Sequence, residues 1–210
     1  MRGTGRWASF GLFLISIAFI SLVTTFIAVG TPSGVDGQAD LRYVQMAAES
    51  IADVMDHYLV IVNKSTVPVG TGDWVADIVR KHQPKPIPFS VVSCPEFLRE
   101  GCAVEGSMKP ERVVIGTSSK YVEETMRDLY QPFVRSGNPI YVMDEKSAEV
   151  TKYAANSFLA IKISFMNDLS AYCEKVGADI ENVRYGIGSD SRIGKRFLFA
   201  GIGYGGSCFP

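Results

Sequence analysis

The chain has 210 residues, room for one or two domains, and its 21 Lys and Arg against 22 Asp and Glu leave a formal charge of -1. A balance so close to neutral excludes a protein that grips nucleic acid through a basic surface, and 47% hydrophobic with 20% charged residues excludes global disorder. The four cysteines (Cys94, Cys102, Cys173, Cys208) fall in no CxxC spacing and the only histidines are His57 and His82, so a structural zinc site lacks ligands, a disulfide framework is not expected, and no metal is expected.

Arg2 and Arg6 precede an uncharged stretch from Trp7 to Gly30 that is long enough to cross a bilayer. Ser, Thr and Gly dilute it, no clear cleavage site follows, and its last part, Phe26 to Gly30, reads equally well as a short strand entering the turn Thr31 to Gly34. Residues 1–25 are therefore set apart as an apolar leader. Leu41, Val44, Ala47, Ala48, Ile51, Val54 and Met55 then trace a helical face, and Tyr58 to Val62 is an apolar run of strand length. A helix is expected over Asp73 to Lys81, a Pro-punctuated connection at Pro84, Pro86 and Pro88, and a strand at Phe89 to Ser93. Strand Arg112 to Gly116, helix Lys120 to Phe133 and strand Ile140 to Met143 follow. Apolar runs separated by helical periods imply parallel strands joined by right-handed crossovers.

From Glu145 to Val176 the chain has neither Pro nor Gly, which predicts one long helix with Val150, Ala154, Phe158, Ile161, Phe165, Leu169 and Cys173 at helical spacings. Gly177 to Asp179 breaks it before a second helix near Ile180 to Tyr185, and glycines crowd the tail. The expected architecture is α/β: a partial Rossmann-like parallel sheet at 26–144 followed by a helical, dimerising segment at 145–210.

Gly201-Ile-Gly203-Tyr-Gly-Gly206 fits GxGxxG, but a dinucleotide fingerprint must follow a strand and open a helix, so the isolated match is weak. The same glycines would let backbone approach a substrate and uncover Cys208, a nucleophile candidate whose plain alternative is a buried, inert thiol. Glu149, Lys152 and Asn156 stand at i, i+3 and i+7 on the long helix, where a cation and an amide suit a negative oxygen; spacing alone favours a solvated face. Glu96 and Glu100 follow one strand end, and Ser65-Thr66-Val67-Pro68 follows another, in the crevice where parallel sheets bind ligands. A helix cap or plain turn is the alternative for the latter. Asn63-Lys-Ser65 is also a glycosylation sequon, relevant only to an exported chain.

Seven segments in order resemble the UDP-glucose/GDP-mannose dehydrogenase family of nucleotide-sugar dehydrogenases, nearest its members that oxidise UDP-glucose. They are Phe26 to Ser33, Lys64 to Thr71, Pro95 to Gly101, Arg112 to Gly116, Glu149 to Asn156, Asp190 to Gly194, and Gly203-Tyr-Gly-Gly-Ser-Cys-Phe-Pro210. The resemblance implies a four-electron oxidation of UDP-glucose to UDP-glucuronate with NAD as cofactor, through a thiohemiacetal and then a thioester on Cys208. By motif, Lys152 and Asn156 match the oxyanion stabilisers, Glu96 and Thr66 the acid/base and water-positioning pair, and Thr31, Thr66 and Glu100 the cofactor contacts. Glu96, Phe97, Leu98, Arg99, Lys152, Asn156, Phe197, Leu198, Phe199, Ala200, Gly201 and Gly205 match substrate contacts, and Arg192 resembles an arginine that reaches across a homodimer built on the long helix. The family's glycine-rich pyrophosphate turn has no counterpart before Phe26, and the Lys-Asp pair and nucleotide domain that follow Cys-Phe-Pro in the family lie beyond Pro210. The 210 residues alone are therefore expected to lack dehydrogenase activity. GDP-mannose and UDP-N-acetylmannosamine are the rival substrates, and a membrane-tethered, non-enzymatic pairing fragment is the rival of another kind. The expected location is cytoplasmic, with the leader leaving membrane association open.

Overall fold

The computed structural model describes residues 23–34, 37–99, 101–134 and 137–203. The elements run β1 (Thr24–Ile27), α1 (Arg42–Val54), β2 (Leu59–Asn63), α2 (Thr71–His82), β3 (Phe89–Ser93), α3 (Ala103–Met108), β4 (Val113–Gly116), α4 (Lys120–Tyr130), β5 (Ile140–Met143), α5 (Glu145–Val176) and α6 (Ile180–Gly188). Two compact units divide the chain between Lys152 and Tyr153, inside α5; the composition change at 144/145 coincides with the start of that helix.

In the first unit the five strands form one sheet in the order β1-β2-β3-β4-β5. All pairings are parallel except β3 with β4, which meet antiparallel at the single pair Ser93 and Gly116. Alternate residues of β2 bury opposite faces. Ile61 packs with Ile27, Val44, Ala48, Val75 and Val79 under α1 and α2, while Val60 and Val62 pack with Val92, Ile115, Val122 and Met126 under α4. A strand covered on both faces reads as a continuous apolar run, which is why the central strands were legible.

Boundaries moved where local chemistry intervened. β1 occupies Thr24–Ile27 rather than Phe26 to Gly30, because its parallel register ends at Ile27 opposite Asn63 and the Val29 backbone bonds to Ser65 instead. It thus begins inside the span set apart as leader; residues 1–22 lie outside those described. Among the described residues no helix is long and apolar enough to cross a membrane. Val54, expected on the buried face of α1, is 78% exposed, and the buried position falls on Met55. α4 stops at Tyr130: Gln131 keeps a helical conformation and its N–H still reaches the Arg127 carbonyl, but Pro132 has no backbone donor to carry the ladder further. α3 was not anticipated: it is six residues long, contains Gly106 and buries nothing, so it carries no periodic signal. Asn63 is 2% exposed at the end of β2, which removes its sequon from any glycosylating enzyme.

The first turns of α5 cross the carboxyl ends of the strands. Asp144 accepts from the Ser147 N–H (2.9 Å) and hydroxyl (2.6 Å), which starts the helix and holds that carboxyl below the usual range. Glu145 accepts from the Ser118 N–H and hydroxyl, both at 3.0 Å. A Cβ on Gly116 would stand 2.6 Å from the Ala148 Cβ and 2.9 Å from the Glu145 Cα, so the sheet admits the helix there only because residue 116 has no side chain. In the second unit, Asp179 caps α6 by accepting from the Glu181 and Asn182 N–H groups.

At the end of β3, Cys94 is fully buried and its thiol donates to the Tyr130 hydroxyl at 3.6 Å, with Lys64 over the Tyr130 ring. Burial pushes the Cys94 thiol up, opposed in part by the Lys64 charge and the Tyr130 hydrogen bond, and burial pushes Tyr130 up as well. Cys94 is a structural thiol.

Two outcomes follow from this packing. Gly116→Ala forces backbone apart and is expected to destabilise the first unit by about 1–3 kcal/mol, read as a lower urea midpoint. For Cys94 and Tyr130 the folded state holds its protons more tightly than the unfolded state, so their contribution is intact below about pH 8.5, the ordinary thiol value, and is lost as pH rises further. Urea melts in alkaline buffer should show stability falling with pH, and Cys94→Ala should flatten the start of that fall.

Candidate active site

Three loops leave the carboxyl ends of β1, β2 and β3 side by side because those strands are parallel neighbours. Ser65 binds the β1 loop twice: its hydroxyl donates to the Val29 carbonyl at 2.8 Å and accepts from the Val29 N–H at 3.0 Å. The Thr31 hydroxyl donates to the Thr66 carbonyl at 2.8 Å. Thr31 and Thr66, far apart in sequence, therefore share one edge of the crevice. The Ser65 hydroxyl does not cap α2; its N-terminus begins at Gly70, with φ of 93°, a left-handed conformation that favours glycine.

The β3 loop brings Glu96 against α5. Lys152 is 4% exposed, and its Nζ donates to Glu96 Oε1 at 3.2 Å while lying 5.4 Å from the Phe97 ring centre. Arg112 lies over the same ring at 4.0 Å, so Phe97 meets two cations. The other Glu96 oxygen accepts from the Leu98 N–H at 2.5 Å, which folds the loop back on itself. Arg99 points away to Glu111 at 3.5 Å on the surface.

Glu149, one turn before Lys152, is 3% exposed. It accepts from the Gly70 N–H (2.6 Å), the Gly72 N–H (2.9 Å) and the Ser93 hydroxyl (3.0 Å). The solvated face favoured by spacing alone is thus not what forms: Glu149 and Lys152 are both buried because the strand ends supply donors for one and a carboxylate for the other. Thr66, Ser93, Glu149, Lys152 and Asn63 border a cavity of about 10 Å³, the size of one water. Both polar atoms of the Asn63 amide are buried without a hydrogen-bond partner among the described residues. An amide left so at the ligand-facing end of a sheet fits a site that binds polar groups.

In the second unit, Asn156 is half-buried on α5. Arg192 is clamped in two-point fashion on Asp190 (Nε to Oδ1 3.0 Å, Nη2 to Oδ2 2.6 Å), which holds the Asp190 carboxyl below its usual range. Phe197 has φ of 64°, unusual for a side-chain-bearing residue, Leu198 is buried, Phe199 takes Arg184 over its ring at 5.3 Å, and the Gly201 N–H donates to Asn167 at 2.8 Å. The stretch from Phe197 to Gly201, with Ala200 half-buried, is an ordered turn. Glu100, Gly205 and Cys208, and with them most of the glycine motif, lie outside the described residues.

Sequence reasoning gave no site role to Asn63, Ser93 or Glu149. The available signal was that the apolar strands Leu59–Asn63 and Phe89–Ser93 each end on a polar residue, at the end of the sheet where ligands bind.

The family model for the NAD binding domain of the UDP-glucose/GDP-mannose dehydrogenase family matches residues 17–134, and the model for that family's central domain matches residues 146–210. The first match takes in residues 17–25, so the leader boundary at 25 set them apart wrongly. The chain is 53% identical over 185 residues to the UDP-glucose 6-dehydrogenase YwqF of Bacillus subtilis (strain 168), covering 88% of this chain and 41% of that protein. It superposes on a UDP-glucose dehydrogenase from the hyperthermophilic archaeon Pyrobaculum islandicum with a TM-score of 0.85 at 42% identity, covering 92% of this chain and 45% of the other. For a GDP-mannose dehydrogenase from Pseudomonas aeruginosa the TM-score is 0.75 at 29% identity, covering 93% of this chain and 46% of the other. The chain thus spans about two fifths of the length of the curated relatives it matches. With the two family domains following one another along most of its length, the chain belongs to the UDP-glucose/GDP-mannose dehydrogenase family.

Proposed function

We propose that the natural gene product oxidises the C6 alcohol of UDP-glucose to the carboxylate of UDP-glucuronate. The observation that carries the reading is the buried Lys152 ammonium 3.2 Å from Glu96 at the sheet's carboxyl edge, in a chain 53% identical to a UDP-glucose 6-dehydrogenase. The lower identity to the GDP-mannose enzyme, 29% against 42% for the UDP-glucose enzyme among solved structures, favours UDP-glucose.

NAD, when bound, supplies the hydride acceptor for both oxidations. The Asn63 amide, buried at the crevice without a partner among the described residues, suits a polar group such as this cofactor, and we assign Thr31 and Thr66 at the crevice edge, with Glu100, as its contacts. Lys152 and Asn156 are assigned to the negative oxygen that develops at C6; a preorganised ammonium shielded from water serves such charge well. Glu96 handles the hydroxyl proton, and Thr66 orients the water. Cys208 adds its sulfur across the aldehyde carbonyl; a second oxidation turns that adduct into a thioester, and water releases the acid and restores the thiol. Glu96 to Arg99, Phe197 to Gly201 and Gly205 complete the substrate contacts. The free thiols of Cys94, Cys102 and Cys173 accord with a reducing, cytoplasmic location.

The proposed partner is a second copy. Phe158, Ile161, Phe165, Tyr172 and Val176 on α5 are each more than half exposed, at successive steps of three, four, seven and four residues that make one apolar stripe. Arg192 is assigned to the neighbour's substrate. A homodimer covers that stripe, and the double change Ile161→Asp, Phe165→Asp is expected to halve the mass measured by light scattering.

The activity test offers the natural gene product UDP-glucose, GDP-mannose or UDP-N-acetylmannosamine with NAD. UDP-glucose should yield two NADH per uronate formed, and Lys152→Ala should lower kcat by roughly 10²–10³-fold. Turnover of GDP-mannose in preference to UDP-glucose, or of neither, would overturn the assignment.

A further inference from the structure

Glu149 has no part in the chemistry just described, yet it is as deeply buried as Lys152. α2 has no side chain of its own to cap it. The carboxylate that does so comes from 79 residues away: Gly70 donates to Oε2, Gly72 to Oε1, and the Ser93 hydroxyl joins at Oε1. Gly70 closes the loop that carries Thr66, bound through Pro68, whose carbonyl accepts from the Thr71 N–H and hydroxyl. Lys152 lies three residues beyond Glu149 on the same helix face. One carboxylate thus ties the Thr66 loop, the end of β3 and the helix that bears Lys152.

We propose that Glu149 is a positioning residue that fixes the Lys152 ammonium against the Thr66 loop. A glutamine there has one acceptor oxygen and would set its own N–H₂ against a backbone N–H, so charge and geometry are lost together. The inference rests on the proposed dehydrogenase reading for its kinetic consequence but not for its structural one.

The test is Glu149→Gln in the natural gene product, with two readouts. The first is independent of turnover: acylation of Lys152 by an amine reagent, followed by mass spectrometry. The buried lysine should react about tenfold faster in the variant, with hydrogen exchange rising at Gly70 and Gly72 but not at Val60 to Val62. The second is a kcat loss of about 10–100-fold with KM for UDP-glucose within about twofold of the parent. Unchanged Lys152 labelling, or a raised KM with kcat intact, would overturn the proposal. Should Glu149→Gln fail to fold, Ser93→Ala removes one of the three donors; a rise of about threefold in Lys152 labelling supports the proposal and no rise refutes it. A parent protein that oxidises no nucleotide sugar refutes the dehydrogenase reading alone, since the labelling result is read without it.

Discussion

The site depends on how closely a helix can approach the carboxyl end of a sheet. Ile27, Asn63, Ser93 and Gly116 pair in register as one row across four strands, and α5 passes over that row with no space for a side chain at Gly116. Ala148 sits where the missing side chain would be; Glu149, the next residue, reaches Ser93; Lys152 is one turn further on. Raising the helix by the width of a methyl group would move the carboxylate off its donors and the ammonium off Glu96 together. The absence of one side chain therefore sets the position of two.

The strands divide their work along their length. In β2, Val60, Ile61 and Val62 supply both cores and Asn63 meets the crevice; in β3, Val92 is core and Ser93 binds Glu149. Burying polar groups at the row is costly unless each finds a partner, and for Ser93, Glu149 and Lys152 each does. Asn63 is the exception, and an unsatisfied buried amide costs about 1–3 kcal/mol. Such a cost is commonest where a site must still accept something polar.

How much of this was legible follows from what each pattern encodes. Apolar runs at β2 and β4 gave the centre of the sheet because both faces are covered there, β5 was read from its apolar run although Tyr141 is half exposed, and the absence of Gly and Pro gave α5. Periodicity says which residues are apolar but not what covers them: of the residues spaced like a core stripe Phe158, Ile161 and Phe165 are exposed and Cys173 is buried, while Ala148 and Met166, off that spacing, are buried. Helix spacing singled out Lys152 and a strand end singled out Glu96, but the family motif gave them their roles, since no local pattern links residues 56 apart. The antiparallel contact of β3 with β4 left no trace in the sequence, because it is a single pair.

Glu149 illustrates why the burial of charge escapes local reasoning. A glutamate three residues before a lysine on a helix ordinarily forms a surface pair with it, and that is the default for such a spacing. Here the α2 N-terminus carries roughly half a positive charge from its aligned peptide dipoles and offers two N–H groups, with a serine hydroxyl beside them. The carboxylate is thereby matched by backbone and hydroxyl, and the ammonium on the next turn pairs with Glu96 instead. A helix N-terminus has taken the place of the lysine as counter-charge, which leaves the lysine available to Glu96. The burial of Glu149 and the partner choice of Lys152 are thus one electrostatic arrangement.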